Sequence, residues 1–211
     1  MLVFDFDGVL HDSRERAWRC YQDARREMGL WDLPDLAGPG ELPVVYQGVL
    51  SASLTRWVAF ETAERFWKLH AQLTDQAAAE EPRGVIPELV GPLAELAAGP
   101  GYAVVTGSHG STVCALLARD LPTEAMPRVL LSRDEQGSKT DKLRFLRTWH
   151  GARTYIGDTG SDVRHAHAAD LTAIAVAYGY ANLEDLTAAQ PDQLLATPAS
   201  LAAWCLAPAR G

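Results

Sequence analysis

LVFDFDGVLHDS, Leu2–Ser13, is the stretch on which the reading of the whole chain turns. Leu2-Val3-Phe4 is a short apolar run of the kind that forms a strand covered on both faces of a parallel sheet. It ends in two carboxylates, Asp5 and Asp7, followed by Gly8, which permits a turn that a residue with a Cβ resists. The carboxyl ends of strands are where open α/β sheets place their ligands. Two carboxylates this close repel unless a cation or a shared proton stabilises them, so the arrangement calls for a metal or for acid/base work. An N-terminal strand running into a solvated acidic turn is the plainer alternative, and the rest of the chain has to decide between the two.

Outward from this stretch, Asp12–Met28 carries helical spacing, with Ala17, Cys20, Tyr21, Ala24 and Met28 on one stripe, Asp12 or Ser13 as cap and Gly29 as stop. Leu30–Pro43 is rich in proline and glycine and reads as a loop. Val44–Glu80 reads as two helices, whose Trp57, Phe60, Phe66 and Trp67 suit a small helical core better than a ligand box. Beyond Gly84 the pattern becomes alternating. Helix Ile86–Ala98 precedes strand Tyr102–Val105, helix STVCALLARD (111–120) and strand RVLLS (128–132). Helix Lys139–His150, strand TYIGD (154–158), helix SDVRHAHAA (161–169) and the last strong strand, LTAIAVAY (171–178), follow. ANLEDL and PASLAAWCL read as short helices. Such alternation implies an α/β fold with a doubly wound parallel sheet and right-handed crossovers. The segment 12–84 interrupts it and is expected to be an inserted α-helical cap domain, with residues 1–11 and 85–211 forming the core.

The 211 residues suffice for one such domain plus an insertion. A hydrophobic content of 47% and a charged content of 22% are those of an ordinary soluble globular protein. A net charge of −8, with no run of Lys or Arg, speaks against a nucleic-acid surface. No apolar run approaches the length of a membrane span, and Asp5 and Asp7 interrupt the only N-terminal apolar segment, so no signal peptide is read. Cys20, Cys114 and Cys205 are isolated and suit reduced, mostly buried thiols. A cytoplasmic protein without membrane or nucleic-acid partners is the expectation; nothing in the sequence sets an oligomeric state.

Three further segments end a strand or open a helix with polar residues. Val105-Thr106-Gly107-Ser108 can present a hydroxyl and backbone amides to a phosphate, or can be a plain turn capped by Ser108 or Ser111. In Gly137-Ser138-Lys139-Thr140-Asp141-Lys142, a lysine opening a helix opposes the helix dipole and wants an anionic partner; Lys142 competes with Lys139 for that role. In Tyr155-Ile156-Gly157-Asp158-Thr159-Gly160-Ser161-Asp162, Asp158 ends a strand and Asp162 falls in the first turn of the next helix, where it either faces the same cleft or only caps the helix.

Taken in order, the four segments resemble the four motifs of the haloacid dehalogenase superfamily, and the resemblance spans essentially the whole chain. The insertion after the first motif is similar to the helical cap of phosphoglycolate-phosphatase-like members. The resemblance implies a Mg²⁺-dependent phosphatase acting on a small phosphorylated metabolite. Asp5 would be the nucleophile and Asp7 the acid/base group. Mg²⁺ would be held by the Asp5 carboxylate, the Asp7 backbone carbonyl, Asp158 and, directly or through water, Asp162. Thr106, Gly107, Ser108 and Lys139 would bind the phosphate, Lys139 acting also as a catalytic charge clamp. An acid/base aspartate at position 7 argues against the superfamily's haloalkanoate dehalogenases and phosphonoacetaldehyde hydrolases. A phosphoglucomutase-like transferase and a non-catalytic binding protein are the rival readings. His11 and His109 are candidate substrate contacts, whereas His165 and His167 read as structural. Arg14, Arg16, Arg56, Arg65 and Lys68 are unranked candidates for specificity, with hinges expected near Asp12 and Arg83-Gly84.

Overall fold

In the computed structural model, the described residues are 1–46 and 50–207; residues 47–49 of the expected helical segment and 208–211 of the expected core lie outside them, as do the side chains of 50 and 51. Strands β1 (Leu2–Phe4), β2 (Tyr102–Val105), β3 (Val129–Leu131), β4 (Thr154–Gly157), β5 (Thr172–Val176) and β6 (Gln193–Leu195) form one sheet in the order β3-β2-β1-β4-β5-β6. Every pairing is parallel; Val3 stands between Ala103 and Tyr155. The strand order reverses at β1, so the ends of β1, β2 and β4 open onto the crevice where such sheets take their ligands.

Both faces of the sheet are covered, as its apolar strands require. Phe4 and Val104 pack on one face with Leu89 and Leu93 of α4 (Pro87–Ala98), Val113 and Leu117 of α5 (Gly110–Asp120), and Leu201 of α9 (Pro198–Leu206). Val3, Ala103 and Tyr155 pack on the other with Leu143 and Leu146 of α6 (Lys139–His150), Val163 and Ala166 of α7 (Gly160–Ala168), and Leu186 of α8 (Leu183–Ala188). The short edge strand β6 goes beyond the expectation, which had LTAIAVAY as the last strong strand. Only Leu195 of its three residues is buried, too little for a periodicity to show.

Between β1 and α4 lie α1 (Arg14–Glu27), α2 (Leu50–Leu54) and α3 (Phe60–Ala77). These helices have an apolar cluster of their own, with Tyr21, Leu33, Leu36, Leu54, Ala63 and Phe66 at its centre. Tyr180, from the loop after β5, enters that cluster and joins it to the sheet. Of the two expected caps of α1, Ser13 stands at the cap position but its hydroxyl lies 2.8 Å from the Tyr180 hydroxyl and makes no cap bond, while Asp12 Oδ1 accepts from the Arg14 amide at 3.4 Å. At the far junction the amides of Gly84 and Val85 both donate to Asp120 Oδ2, at 2.6 and 3.0 Å, and a Cβ on Gly84 would lie 1.6 Å from the Leu116 carbonyl oxygen. Gly84 thus serves close approach to α5. Cys20 is buried as expected, but Cys114 is exposed, since it lies on the outer side of α5. Among the described residues no helix is long and apolar enough to cross a membrane.

Candidate active site

At the ends of β1 and β4, Asp5, Asp158 and Asp162 each direct a carboxylate oxygen into one cluster whose members lie within 4.8 Å of one another. Lys139 spans it, donating from Nζ to Asp5 Oδ2 at 2.9 Å and to Asp162 Oδ1 at 2.7 Å. The lysine reaches this point because it is the first residue of α6, directly after Ser138, whose side chain forms a capping box with Asp141. Lys142, the competing choice, is buried elsewhere and donates to the Ser132 carbonyl. Asp162 does both things open to it. Its Oδ2 accepts from the Thr159 backbone amide and hydroxyl as the capping box of α7, while its Oδ1 accepts from Lys139 and from the Tyr155 hydroxyl at 3.2 Å.

Asp158 is almost wholly buried, and its Oδ2 accepts from the Tyr180 amide at 2.7 Å. Glycines make room for it. A Cβ on Gly8, whose φ is +78°, would lie 2.1 Å from Asp158 Oδ2, and one on Gly179 would lie 2.3 Å from the same atom. Gly8 therefore answers two demands at once, the left-handed turn after Asp7 and the space for Asp158.

Asp7 faces a different set of partners. Ser108 Oγ donates to its Oδ2 at 2.6 Å, and Arg16 Nη2 donates to its Oδ1 at 3.1 Å. Thr106 is buried at the end of β2, and its Oγ1 accepts from the Ser108 amide at 3.0 Å, shaping the 106–108 loop. Neither Ser108 nor Ser111 caps α5; the Gly110 amide donates instead to Asp134 Oδ2 at 2.8 Å.

The carboxylates differ in charge state. Burial, reinforced by Asp162 and opposed by Lys139, pushes Asp5 up to about 7. Burial, with Asp162 and Asp5 beside it, drives Asp158 well above the carboxylate range. For Asp162 burial is outweighed by Lys139 and its hydrogen bonds, and its pKa falls. Burial of Asp7 is likewise outweighed, by Arg16, His11 and Ser108, and that pKa falls too. Lys139, against its own desolvation, is held firmly charged by Asp162 and Asp5. Three carboxylates around one ammonium leave a site short of positive charge, made of hard oxygen donors. A divalent cation fits that donor set.

A cavity of about 510 Å³ lies over these groups and is lined by all eight residues expected from the sequence: Asp5, Asp7, Thr106, Gly107, Ser108, Lys139, Asp158 and Asp162. Its other wall is α3, which contributes Trp67, His70, Ala71, Thr74 and Asp75, together with Tyr46, Arg16 and Arg133. Of the cap cations named from the sequence, Arg16 alone lines it; Arg14 pairs with Asp12, and Arg56, Arg65 and Lys68 are exposed away from it. Trp67, read as core, lies at the wall. The signal for this wall was present as a helical spacing of i, i+3, i+4, i+7 and i+8 from Trp67 to Asp75, but its mixed polarity hides it from a search for apolar stripes. His165, read as structural, also lines the cavity, with its Nδ1 2.8 Å from the Thr140 hydroxyl. His11 does not: it is buried and stacked on Phe6. His109 points to Asp134 and Asp75 at the margin.

No family model matches the chain, and no curated protein sequence matches it. Solved structures do. A haloacid dehalogenase-like family hydrolase from Streptococcus pneumoniae superposes with a TM-score of 0.77 at 19% identity, over 96% of each chain. A protein of Haemophilus somnus named as a predicted phosphoglycolate phosphatase gives 0.74 at 18% identity, over 95% of each. The CbbY protein of Rhodobacter sphaeroides, solved with phosphate, gives 0.69 at 23% identity, again over 95% of each. The fold is therefore haloacid dehalogenase-like, an α/β fold around a parallel sheet, as the motifs implied.

Proposed function

We propose that this protein is a Mg²⁺-dependent phosphatase that hydrolyses a small phosphate monoester through an aspartyl-phosphate. The observation that carries the reading is the separation of roles among the carboxylates: Asp5, Asp158 and Asp162 converge around Lys139, while Asp7 stands apart on Ser108 and Arg16. Structural neighbours named as hydrolases and phosphatases support it.

Asp5, Asp158 and Asp162 would hold the Mg²⁺, which when bound supplies charge neutralisation to the transferring phosphoryl group. Asp5 is the nucleophile. One of its carboxylate oxygens attacks phosphorus, the bond from phosphorus to the ester oxygen breaks, and Asp7 gives a proton to the departing alcohol. In the second half Asp7 takes a proton from water as the water oxygen attacks the aspartyl-phosphate, which releases inorganic phosphate and restores the Asp5 carboxylate. Arg16 and Ser108 favour ionised Asp7, which suits the second half; a substrate entering as the monoanion brings the proton needed in the first. Lys139, Thr106 and the Gly107 amide neutralise the phosphoryl oxygens from fixed positions, where preorganised donors are worth most.

The helical wall over the cavity, together with a net charge of −8, favours small phosphorylated metabolites over phosphoproteins or nucleic acids. The test is release of inorganic phosphate from a panel of phosphorylated metabolites with Mg²⁺. Turnover of several members, lost in excess chelator and regained with Mg²⁺, is the expected result. No release from any member, or full activity in chelator, would overturn the reading.

A further inference from the structure

Arg133 lies just beyond β3, outside all four motif segments, and touches both walls of the cavity. On the phosphate-loop side its Nε donates to the Gly107 carbonyl at 2.7 Å, and its backbone amide donates to the Ser108 carbonyl at 3.1 Å. On the α3 side its Nη1 lies 3.7 Å from Asp75 Oδ2, and its guanidinium sits 5.6 Å from the centre of the Trp67 ring. Asp75 is gripped by two further groups from α5 and its cap: Thr112 Oγ1 donates to Oδ1 at 3.3 Å, and His109 Nε2 lies 3.4 Å from Oδ2. Arg133 is thus a planar cation held between the loop that presents Thr106 and Gly107 and the helix that forms the opposite wall.

We infer that Arg133 is a positioning residue, a strut that sets the 106–108 loop in its phosphate-binding geometry only while α3 is seated on the core through Asp75 and Trp67. The inference rests on the phosphatase reading for its consequence in turnover, although the strut itself is a matter of geometry. The planar guanidinium is what allows one side chain to serve both walls. Its Nε and Nη edges donate in fixed directions and its face lies against an indole, none of which an ammonium reproduces. Release of the α3 side would then loosen a loop on the other side of the cavity.

The experiment compares wild type, Arg133→Ala, Asp75→Ala and the double variant. It reads hydrogen exchange at the Ser108 amide and the amide of residue 133, both hydrogen-bonded within the loop, and kcat and KM for acetyl phosphate with Mg²⁺. Arg133→Ala should lower kcat/KM on the order of 100-fold, the scale of a misplaced catalytic group, with most of the loss in kcat. Asp75→Ala, a change on α3 rather than in the loop, should speed exchange at Ser108 and Arg133 severalfold and lower kcat in the same sense. The double variant should be no worse than Arg133→Ala, because both changes break one connection. Arg133→Lys keeps the charge and serves as the second variant should Arg133→Ala fail to fold; it should lose most of kcat while melting like wild type. Wild-type exchange at Ser108 and Arg133 in Asp75→Ala, losses that multiply in the double variant, or full kcat in Arg133→Lys would each overturn the strut. A wild type without Asp5-dependent turnover would instead sink the phosphatase reading, and the exchange data on Asp75→Ala would still decide the strut.

Discussion

The floor and the roof of the cavity hold their side chains in different ways. On the floor, Asp5 and Asp158 follow the last residues of parallel strands, and Lys139 and Asp162 open helices whose capping boxes fix them. Each of these positions is dictated by backbone hydrogen bonding, so the chemistry falls at a fixed place in the chain. On the roof, Trp67, His70, Thr74 and Asp75 lie along α3 from its middle onward, and what aims them at the floor is the packing of α3 on α1 and on the core. A floor residue is recognisable from its neighbours in sequence; a roof residue becomes recognisable only once the helix has been docked.

The largest expected effect breaks the floor at its centre. Asp5→Asn should lower kcat by about 10⁴-fold or more, since the loss of a covalent nucleophile has effects on that scale. The protein should still fold. Asp5 is buried with its pKa raised to about 7, so a neutral amide removes a charge that burial opposes, and melting at pH 8 should be no lower than in wild type. Retained turnover would dissolve the distinction between floor and roof.

A pair of lysines sharpens it next. Lys139→Ala should lower kcat by about 10²–10³-fold, the scale of a lost preorganised donor to the phosphoryl oxygens. Lys142→Ala, three residues on, should instead act on the fold. Its ammonium is buried against the Ser132 carbonyl, and the carbonyl left unpaired costs about 1–3 kcal/mol, with kcat close to wild type. The reverse pattern in kinetics and melting would mean that the wrong lysine had been placed on the floor.

The third prediction concerns metal and pH. Asp5 and Asp158 have raised folded-state pKa values, so at these two sites the folded protein binds more protons than the unfolded chain. The sign follows: without metal, the share of stability owed to these two carboxyls falls as pH rises from the unfolded carboxylate range, near 4, through about 7, against the opposite slope of His11, His70 and His165, whose pKa values burial lowers. Mg²⁺, on the proposed reading, would bind the deprotonated cluster and compete with those protons. At 100 times its dissociation constant it should add about 2.7 kcal/mol, or about 5–10 °C in melting temperature, at pH 7.5. The gain should be much smaller at pH 5. An equal shift at both pH values, or none, would remove the metal from the cluster without any appeal to activity.

This contrast also explains how far the chain could be read in advance. Strands Tyr102–Val105 and helix Lys139–His150 stand where their patterns place them, because a buried apolar run and a Ser-initiated capping box are local signals. All eight floor and loop residues came together for the same reason. The misreadings are tertiary. Ser13 was a plausible cap until Tyr180, far along the chain, drew its hydroxyl away. His165 was read as structural, which its bond to Thr140 of α6 fits, but only the fold shows that it also lines the cavity. Arg133 follows a weak edge strand with nothing nearby to mark it, and its meaning depends on Gly107, Trp67 and Asp75, which meet it only in the fold.

The smallest effects are expected where the sequence suggested specificity and the fold places none. Arg14, Arg16, Arg56, Arg65 and Lys68 were equivalent candidates by composition. Folding separates them: Arg16 is 4% exposed and bonded to Asp7, whereas Arg14 pairs outward with Asp12, and Arg65 and Lys68 face solvent. An exposed cation away from the cavity acts on an anionic substrate only through a screened field, and surface substitutions of this kind change free energies by about 0.5 kcal/mol or less. Arg14→Ala, Arg65→Ala and Lys68→Ala should therefore each change kcat/KM by no more than about twofold at physiological salt. Arg16→Ala is the internal control, with a marked loss of kcat, because Asp7 then keeps Ser108 but loses its guanidinium partner. A tenfold loss in any of the other three variants, measured on the best metabolite of the panel, would show that the roof extends past α3 onto the rest of the helical insertion.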